Sequence, residues 1–290
     1  MANLKAIRKR IISVKNTQKI TRAMKMVAAA RLRRAQTAIT ELRPYAQKTL
    51  EVLSSVAARA AADDMVHPLL VRREVKNVML VVLTSDRGLA GAFNTNINRA
   101  AYTFLKELQA EGKHVEVAVI GRKAKEYFAR RGATLRHTFT GVFENLSVTK
   151  ATEIGIVLAD EYERSDLDAI YLCYNEFKSA LTQKVTIEAL LPIAPQAVGE
   201  TETAVDFIYE PDKKGLLDRL LPMYAEVEVY RALLESVASE HGARMTAMDN
   251  ATRNANELVS KLTLVYNRAR QAAITKELME IIGGAEALKG

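Results

Sequence analysis

Residues 243–282, ARMTAMDNATRNANELVSKLTLVYNRARQAAITKELMEII, run for 40 residues without a glycine or a proline. A stretch so free of helix breakers reads as one helix, roughly 60 Å long at 1.5 Å per residue. Met248, Ala251, Ala255, Leu258, Leu262, Val265, Ala269 and Ala272 recur at alternating steps of three and four, the spacing of a coiled-coil seam. Many of them are small. Small side chains let two helix axes approach closely, which suits a slender two-helix shaft better than a thick core.

The opposite end of the chain carries the same pattern. Leu4, Ile7, Ile11, Val14, Gln18, Thr21, Lys25, Ala28, Leu32, Ala35, Ile39 and Leu42 hold heptad spacing, and nine of the twelve are apolar. The three exceptions, Gln18, Thr21 and Lys25, are consecutive and open a polar gap in the seam; His241 and Arg244 interrupt the other arm. One such arm alone reads equally well as an amphipathic helix packed on a domain. Two arms at opposite ends of one chain favour antiparallel pairing into a shaft.

Charge is distributed as unevenly as hydrophobicity. Residues 1–43 hold twelve Lys or Arg against the single acid Glu41, a local +11, so the remainder sums to −3 of the net +8. A helix this basic fits nucleic acid, an anionic membrane surface or an acidic protein cavity. Nucleic acid is disfavoured because the first aromatic residue is Tyr45 and no zinc or helix-turn-helix signature is present. A membrane surface is disfavoured because the basic residues go nearly all round the helix. No apolar run reaches the eighteen or so residues of a membrane span, so membrane contact is expected only through a partner. The basic start imitates an organelle transit peptide, but its periodicity continues too far for one, and it is read as mature protein.

Between the arms, VMLVVL at 78–83 is a continuous apolar run expected to form a buried parallel strand. A loop TSDRGLAGAFN follows, then a helical pattern to about Glu111, a strand at 115–120, a short basic helix at 122–131 and a mixed stretch. A helix near 148–164, a strand at 169–177 and an edge strand at 183–190 complete the set, and the second arm is expected to begin near Leu216. Strands alternating with helices predict a doubly wound, Rossmann-like α/β domain. The expected organisation is an N-terminal coiled-coil helix over 1–58, an α/β domain over 75–200 and a C-terminal coiled-coil helix over 212–283.

Catalytic signatures are scarce. The loop 85–94 lies where nucleotides bind in such folds, but Gly88 and Gly91 do not give the dinucleotide fingerprint and no Lys-Ser/Thr closes a P-loop. His67, His114, His137 and His241 lack metal-ligand spacing. Cys173, the single cysteine, sits in an apolar strand pattern and reads as a buried reduced thiol. Neither a catalytic residue, a cofactor nor a metal is expected.

Three strings, IRKRIISVKNTQKITRAMKMVAAARLRRAQ, TSDRGLAGAFN and the segment from ARMTAMDN to GGAEAL, together resemble the gamma subunit of F-type ATP synthase of the bacterial type, over the whole chain and in the same order. The resemblance implies a noncatalytic rotor: a coiled coil of the two terminal helices inserted into a ring of alternating alpha and beta subunits, with the α/β domain standing on the ring of c subunits and holding the epsilon subunit. It implies contacts with the alpha/beta ring at Met24, Lys25, Arg244, Arg270, Gln271, Thr275 and Glu277, and with the c ring at Phe207, Tyr209 and Glu210. It implies a peripheral position on the cytoplasmic face of the bacterial inner membrane and no nucleic-acid partner. The chain departs from many relatives in having Ala90 where they carry a cysteine, and Cys173 alone leaves no pair for thiol regulation. The alternative reading is a free-standing basic coiled coil that binds nucleic acid or anionic membrane.

Overall fold

The computed structural model describes residues 4–62, 67–164, 166–194 and 212–287. Two long helices bracket the chain: α1 (Leu4–Ala62) and α5 (Lys213–Ala287). Between them run a 3-10 turn (Pro68–Leu70), β1 (Asn77–Leu83), α2 (Phe93–Ala110), β2 (His114–Ile120), α3 (Arg122–Ala129), β3 (Leu135–Phe139), α4 (Val148–Arg164), β4 (Ala169–Phe177) and β5 (Gln183–Leu191). The chain divides into two compact units, residues 1–28 with 245–290, and residues 29–244.

The larger unit is built on a five-stranded sheet of order β3-β2-β1-β4-β5. The first four strands are parallel and β5 is antiparallel to β4. β1 lies centrally, with Val78 opposite both Val115 and Ala169. That position explains its unbroken apolar sequence, because a strand covered on both faces has no solvent side. Val78, Leu80 and Val82 pack with Ile97, Ala101 and Leu105 of α2 and with Ala124 and Phe128 of α3. Strand alternation turns Met79, Val81 and Leu83 to the other face, where they are equally buried.

α4 and α5 cross closely. A Cβ on Gly155 would stand 2.7 Å from the Glu226 Cα, so only glycine permits the observed separation. α5 is also fixed to the sheet by polar bonds. The Ser236 hydroxyl accepts from the Asn175 amide at 3.2 Å, and the Glu235 carboxylate accepts from the Phe177 amide at 2.8 Å. Arg231 reaches the Tyr174 hydroxyl at 3.0 Å and pairs with both Glu188 and Glu228, so one guanidinium serves two carboxylates in that half-buried cluster.

Within this unit residues 29–62 and 213–244 approach in antiparallel order: Tyr45 donates to the Met223 sulfur at 3.4 Å, while Arg31 lies near Glu240 and His241. Leu32, Ala35 and Ile39 are buried, as the N-terminal heptads predict, and Ala46, beyond the predicted seam, is buried too. Pro44 and Pro222 both lie inside helices. Each removes one backbone hydrogen bond without ending its helix, because tertiary contacts on either side hold the backbone.

Two elements differ from the sequence-based expectation. β3 falls in the stretch read as mixed; it is a five-residue edge strand with Arg136 and Thr138 exposed, too short and too polar to announce itself. α5 begins at Lys213 instead of near Leu216. The Asp212 carboxylate accepts from the Gly215 amide at 2.7 Å and caps the helix four residues ahead of its first apolar position, Leu216.

Candidate functional site

In the smaller unit the two chain ends pair antiparallel. Gln18 donates through its side-chain amide to Asn256, the Thr21 and Thr252 hydroxyls are 2.7 Å apart, and Lys25 Nζ lies 2.6 Å from the Asp249 carboxylate. The partner number falls as the α1 number rises, which fixes the direction of the pair. The polar gap of one arm therefore faces polar residues of the other. Lys25 holds the Asp249 carboxyl below its usual range, chiefly by its hydrogen bond. Polar side chains at seam positions specify register at some expense of stability.

The observed seam of α5 is Met248, Thr252, Ala255, Val259, Leu262, Tyr266, Ala269 and Ala273. The sequence reading shared every second member but took Ala251, Leu258, Val265 and Ala272 for the rest, one residue early. Leu258 and Val265 are 38% and 51% exposed. Adjacent positions are apolar in both phases (Leu258 and Val259, Val265 and Tyr266), so hydropathy alone does not select between them. Matching the polar gap does: Gln18, Thr21 and Lys25 find Asn256, Thr252 and Asp249.

Heptad geometry sets Ile20, Met24, Val27, Leu258 and Val265, with Arg10, on one flank of this pair, and Arg8, Lys15, Arg22, Asp249, Asn256 and Thr263, with Ile12 and Met26, on the other. Apolar and basic groups therefore occur on both flanks, in a different order on each. Of the two adjacent sites singled out from the sequence, Met24 is half-buried toward the first flank and Lys25 bonds across to the second.

The pairing register brings Leu4 opposite residue 270, so among the described residues α1 offers no partner to α5 beyond that point. Arg270, Gln271, Thr275 and Glu277 are exposed on this last stretch. So are Ile274, Leu278, Met279, Ile281 and Ile282, at 49–69% of their full areas. Single exposed aliphatics are ordinary, but five along less than three helical turns make a surface that another protein can cover. The sequence reading named the polar members and missed the apolar ones between them.

Arg244 is placed differently. Its side chain is 12% exposed, and its guanidinium donates to the Glu240 carboxylate at 2.7 Å and to the Gly88 carbonyl at 3.1 Å. Beside it His241 is 5% exposed, and burial lowers its pKa to about 4, so the ring is neutral at pH 7. Burial also pushes the Glu240 carboxyl up, against the pull of Arg244. Phe207, Tyr209 and Glu210 lie outside the described residues.

The loop after β1 is closed to a phosphate at the neighbouring helix start. The first amides of α3 are taken by Asp86 Oδ1 at 3.1 Å, the Ser85 carbonyl at 3.2 Å and Thr84 Oγ1 at 2.8 Å. A polar cleft of about 340 Å³ lined by Asn77, His114, Glu116, Arg136, Arg164 and Asp166 has its strongest cation, Arg136, already bound to Glu116 and Glu161. Among the described residues no cluster of three or more His, Cys, Asp or Glu is placed to hold a metal, and no helix is long and apolar enough to cross a membrane. Burial pushes the Cys173 thiol up to about 12, which makes it a poor nucleophile.

The family model described as ATP synthase matches residues 3–288. ATP synthase gamma chains of Geobacter sp. (strain M21) and Sorangium cellulosum are 53% and 52% identical, with all of both chains covered in each case. Among solved structures, a chain from the Tetrahymena thermophila mitochondrial ATP synthase central stalk and c ring aligns with a TM-score of 0.60 at 27% identity, over 80% of this chain and 99% of its own. A chain from the Euglena gracilis mitochondrial ATP synthase, in the OSCP/F1/c-ring structure, aligns with a TM-score of 0.67 at 20% identity, over 98% and 94%; that likeness speaks for the fold.

Proposed function

The chain belongs to the ATP synthase gamma-chain family, and on that premise we propose that it is the central-stalk rotor that couples ion flow through the c ring to ATP synthesis and hydrolysis at the beta subunits. Its partners are the alpha and beta subunits, the epsilon subunit and the c ring. It performs no bond chemistry itself. Glu240 is bound to Arg244 and Cys173 is buried with its thiol pushed up, which supports a mechanical role for these groups over a catalytic one.

The observation that carries this reading is the pairing of the two chain ends into a shaft with unlike flanks. Three chemically equal sites respond differently to one shaft only if its contacts with them differ. The flanks differ in the order of their exposed groups, with Ile20, Val27, Leu258 and Val265 on one and Arg8, Lys15, Arg22, Ile12 and Met26 on the other, and that supplies the inequality. One charge falling through 100 mV supplies about 2.3 kcal/mol, so several ion transfers are combined for each nucleotide event. A continuous helical pair is the element that carries such work between distant sites.

In this reading Met24, Lys25, Arg270, Gln271, Thr275 and Glu277 meet the alpha/beta ring, and Phe207, Tyr209 and Glu210 meet the c ring. The +11 charge of residues 1–43 suits a polar or acidic bearing. The bacterial relatives support a peripheral place for it on the cytoplasmic face of a bacterial inner membrane.

Reconstitution tests it. Alpha and beta subunits combined with membrane sectors are expected to show ion-driven ATP synthesis only when this chain is added. Full coupled synthesis in its absence would remove the rotor role.

A further inference from the structure

The 3-10 turn Pro68–Leu70, which precedes β1, is tied to several elements at once. Beyond the end of β5 the Ile193 amide donates to the Leu69 carbonyl at 2.8 Å, and from α4 the Tyr162 hydroxyl donates to the Val71 carbonyl at 3.3 Å. The tie to α5 runs through an imidazole. His67 stands at the head of the turn with its side chain 11% exposed, and its two ring nitrogens hold different partners.

Nδ1 accepts from the Leu69 amide at 3.2 Å and caps the turn, so its lone pair is in use and the proton of the neutral ring sits on Nε2. Nε2 lies 3.3 Å from the Asp218 carboxylate of α5. A second proton can go only to Nδ1, where it would set one N–H against another. The cap and the charged ring therefore exclude each other.

The charges around the ring pull both ways. From α5, Asp218 favours a protonated ring and Lys214 opposes it; from α4, Glu163 favours it, while burial keeps the Tyr162 hydroxyl neutral. Residues 68–71 and 192–193 bring no charge. Burial of the ring outweighs the two carboxylates and pulls its pKa below the ordinary value, so the neutral, capping form is the one present at pH 7.

We propose that His67 is a pH-sensitive clip, whose neutral ring joins the Pro68–Leu70 turn to the first turns of α5 and whose protonation releases that join while the Ile193 and Tyr162 bonds stay closed. The opened turn binds the proton more readily than the closed one, so closure is fully supported above about pH 6.5 and weakens as pH falls below it. The clip does not rest on the rotor reading. In a rotor, it would loosen the base of α5 as the surroundings acidify.

Amide exchange of the full chain at about pH 7.5 and about pH 5.5, each rate divided by the intrinsic rate at that pH, tests the clip. At one unit below the ordinary imidazole value the opened turn gains about tenfold, so protection of the Leu69 amide is expected to fall about tenfold. In His67→Asn, whose side-chain oxygen can accept the same amide without titrating, that fall is expected to vanish although the other three histidines remain. Nitrogen chemical shifts of the unaltered chain at the higher pH are expected to place the His67 proton on Nε2.

A proton found on Nδ1 would overturn the proposal, because the cap would then be absent. So would Leu69 protection that holds steady between the two pH values, or that falls as far in His67→Asn as in the unaltered chain.

Discussion

Removal of residues 271–290 is expected to leave the sheet-bearing unit folded while coupled ATP synthesis in membrane vesicles falls about tenfold, the effect of losing roughly 1.4 kcal/mol of productive contact. The deleted stretch of α5 has no α1 residue opposite it among those described, and Ile274, Leu278, Ile281 and Ile282 keep 49–69% of their areas exposed. Their loss therefore subtracts little from folding, in line with other exposed positions. In the assembly each such side chain is worth about 2 kcal/mol once buried against a partner. Only part of that total needs to guide rotation for the predicted loss to appear. A thermal melt that shifts by several degrees would place these residues in the fold instead, and a truncated chain that couples at the full rate would deny them any part in it.

The largest effect on folding is expected at Gly121. It ends β2 with φ +100° and ψ 145°, a region essentially reserved to glycine, and its amide donates to the Phe139 carbonyl at 2.7 Å. An added Cβ would lie 1.9 Å from the Thr84 carbonyl oxygen. That oxygen belongs to the backbone at the end of β1 and cannot swing aside, while the Thr84 hydroxyl is engaged in capping α3. Gly121→Ala therefore combines backbone strain with overpacking, about 4 kcal/mol or more in sum. Against a typical total of about 5–15 kcal/mol, this is a large share. Gly112 provides the control: it too has positive φ, +82°, but open space where a Cβ would go, so Gly112→Ala should cost about 1–2 kcal/mol. Urea denaturation measures both, and equal midpoints for the two variants would contradict the steric argument.

Most of the architecture was readable because the chain writes it in two clear periods. VMLVVL reads as a strand buried on both faces, and the long breaker-poor arms, with 243–282 free of glycine and proline, read as helices. The polar gap at Gln18, Thr21 and Lys25 was visible as well. Its complement at Asp249, Thr252 and Asn256 was equally visible, but only a reading that pairs the two gaps uses it, and that pairing would have corrected the seam phase at Leu258 and Val265. β3 escaped because Arg136 and His137 interrupt five residues of an edge strand, where ion pairs to Glu116 and Glu161 take the place of apolar burial.

The functional surface was harder to read. Sequence likeness brings Arg244 forward as a residue of interest, yet its guanidinium faces inward to Gly88, Glu240 and His241. The apolar stripe from Ile274 to Ile282 went unnoticed because its exposure shows only once the register places α1's first described residue opposite 270. Burial depends on what lies opposite, and that is a property of the pair.

The central claim is that the paired ends of this chain turn as one lopsided axle within a stationary ring. The direct measurement is single-molecule imaging of the assembled complex with the alpha/beta ring held to a surface and a probe fixed to the sheet-bearing unit of this chain. Under ATP the probe is expected to rotate in one direction with three resting angles per turn, one for each catalytic site. ATP hydrolysis at full rate with the probe fixed in angle, or wandering without direction, would contradict it.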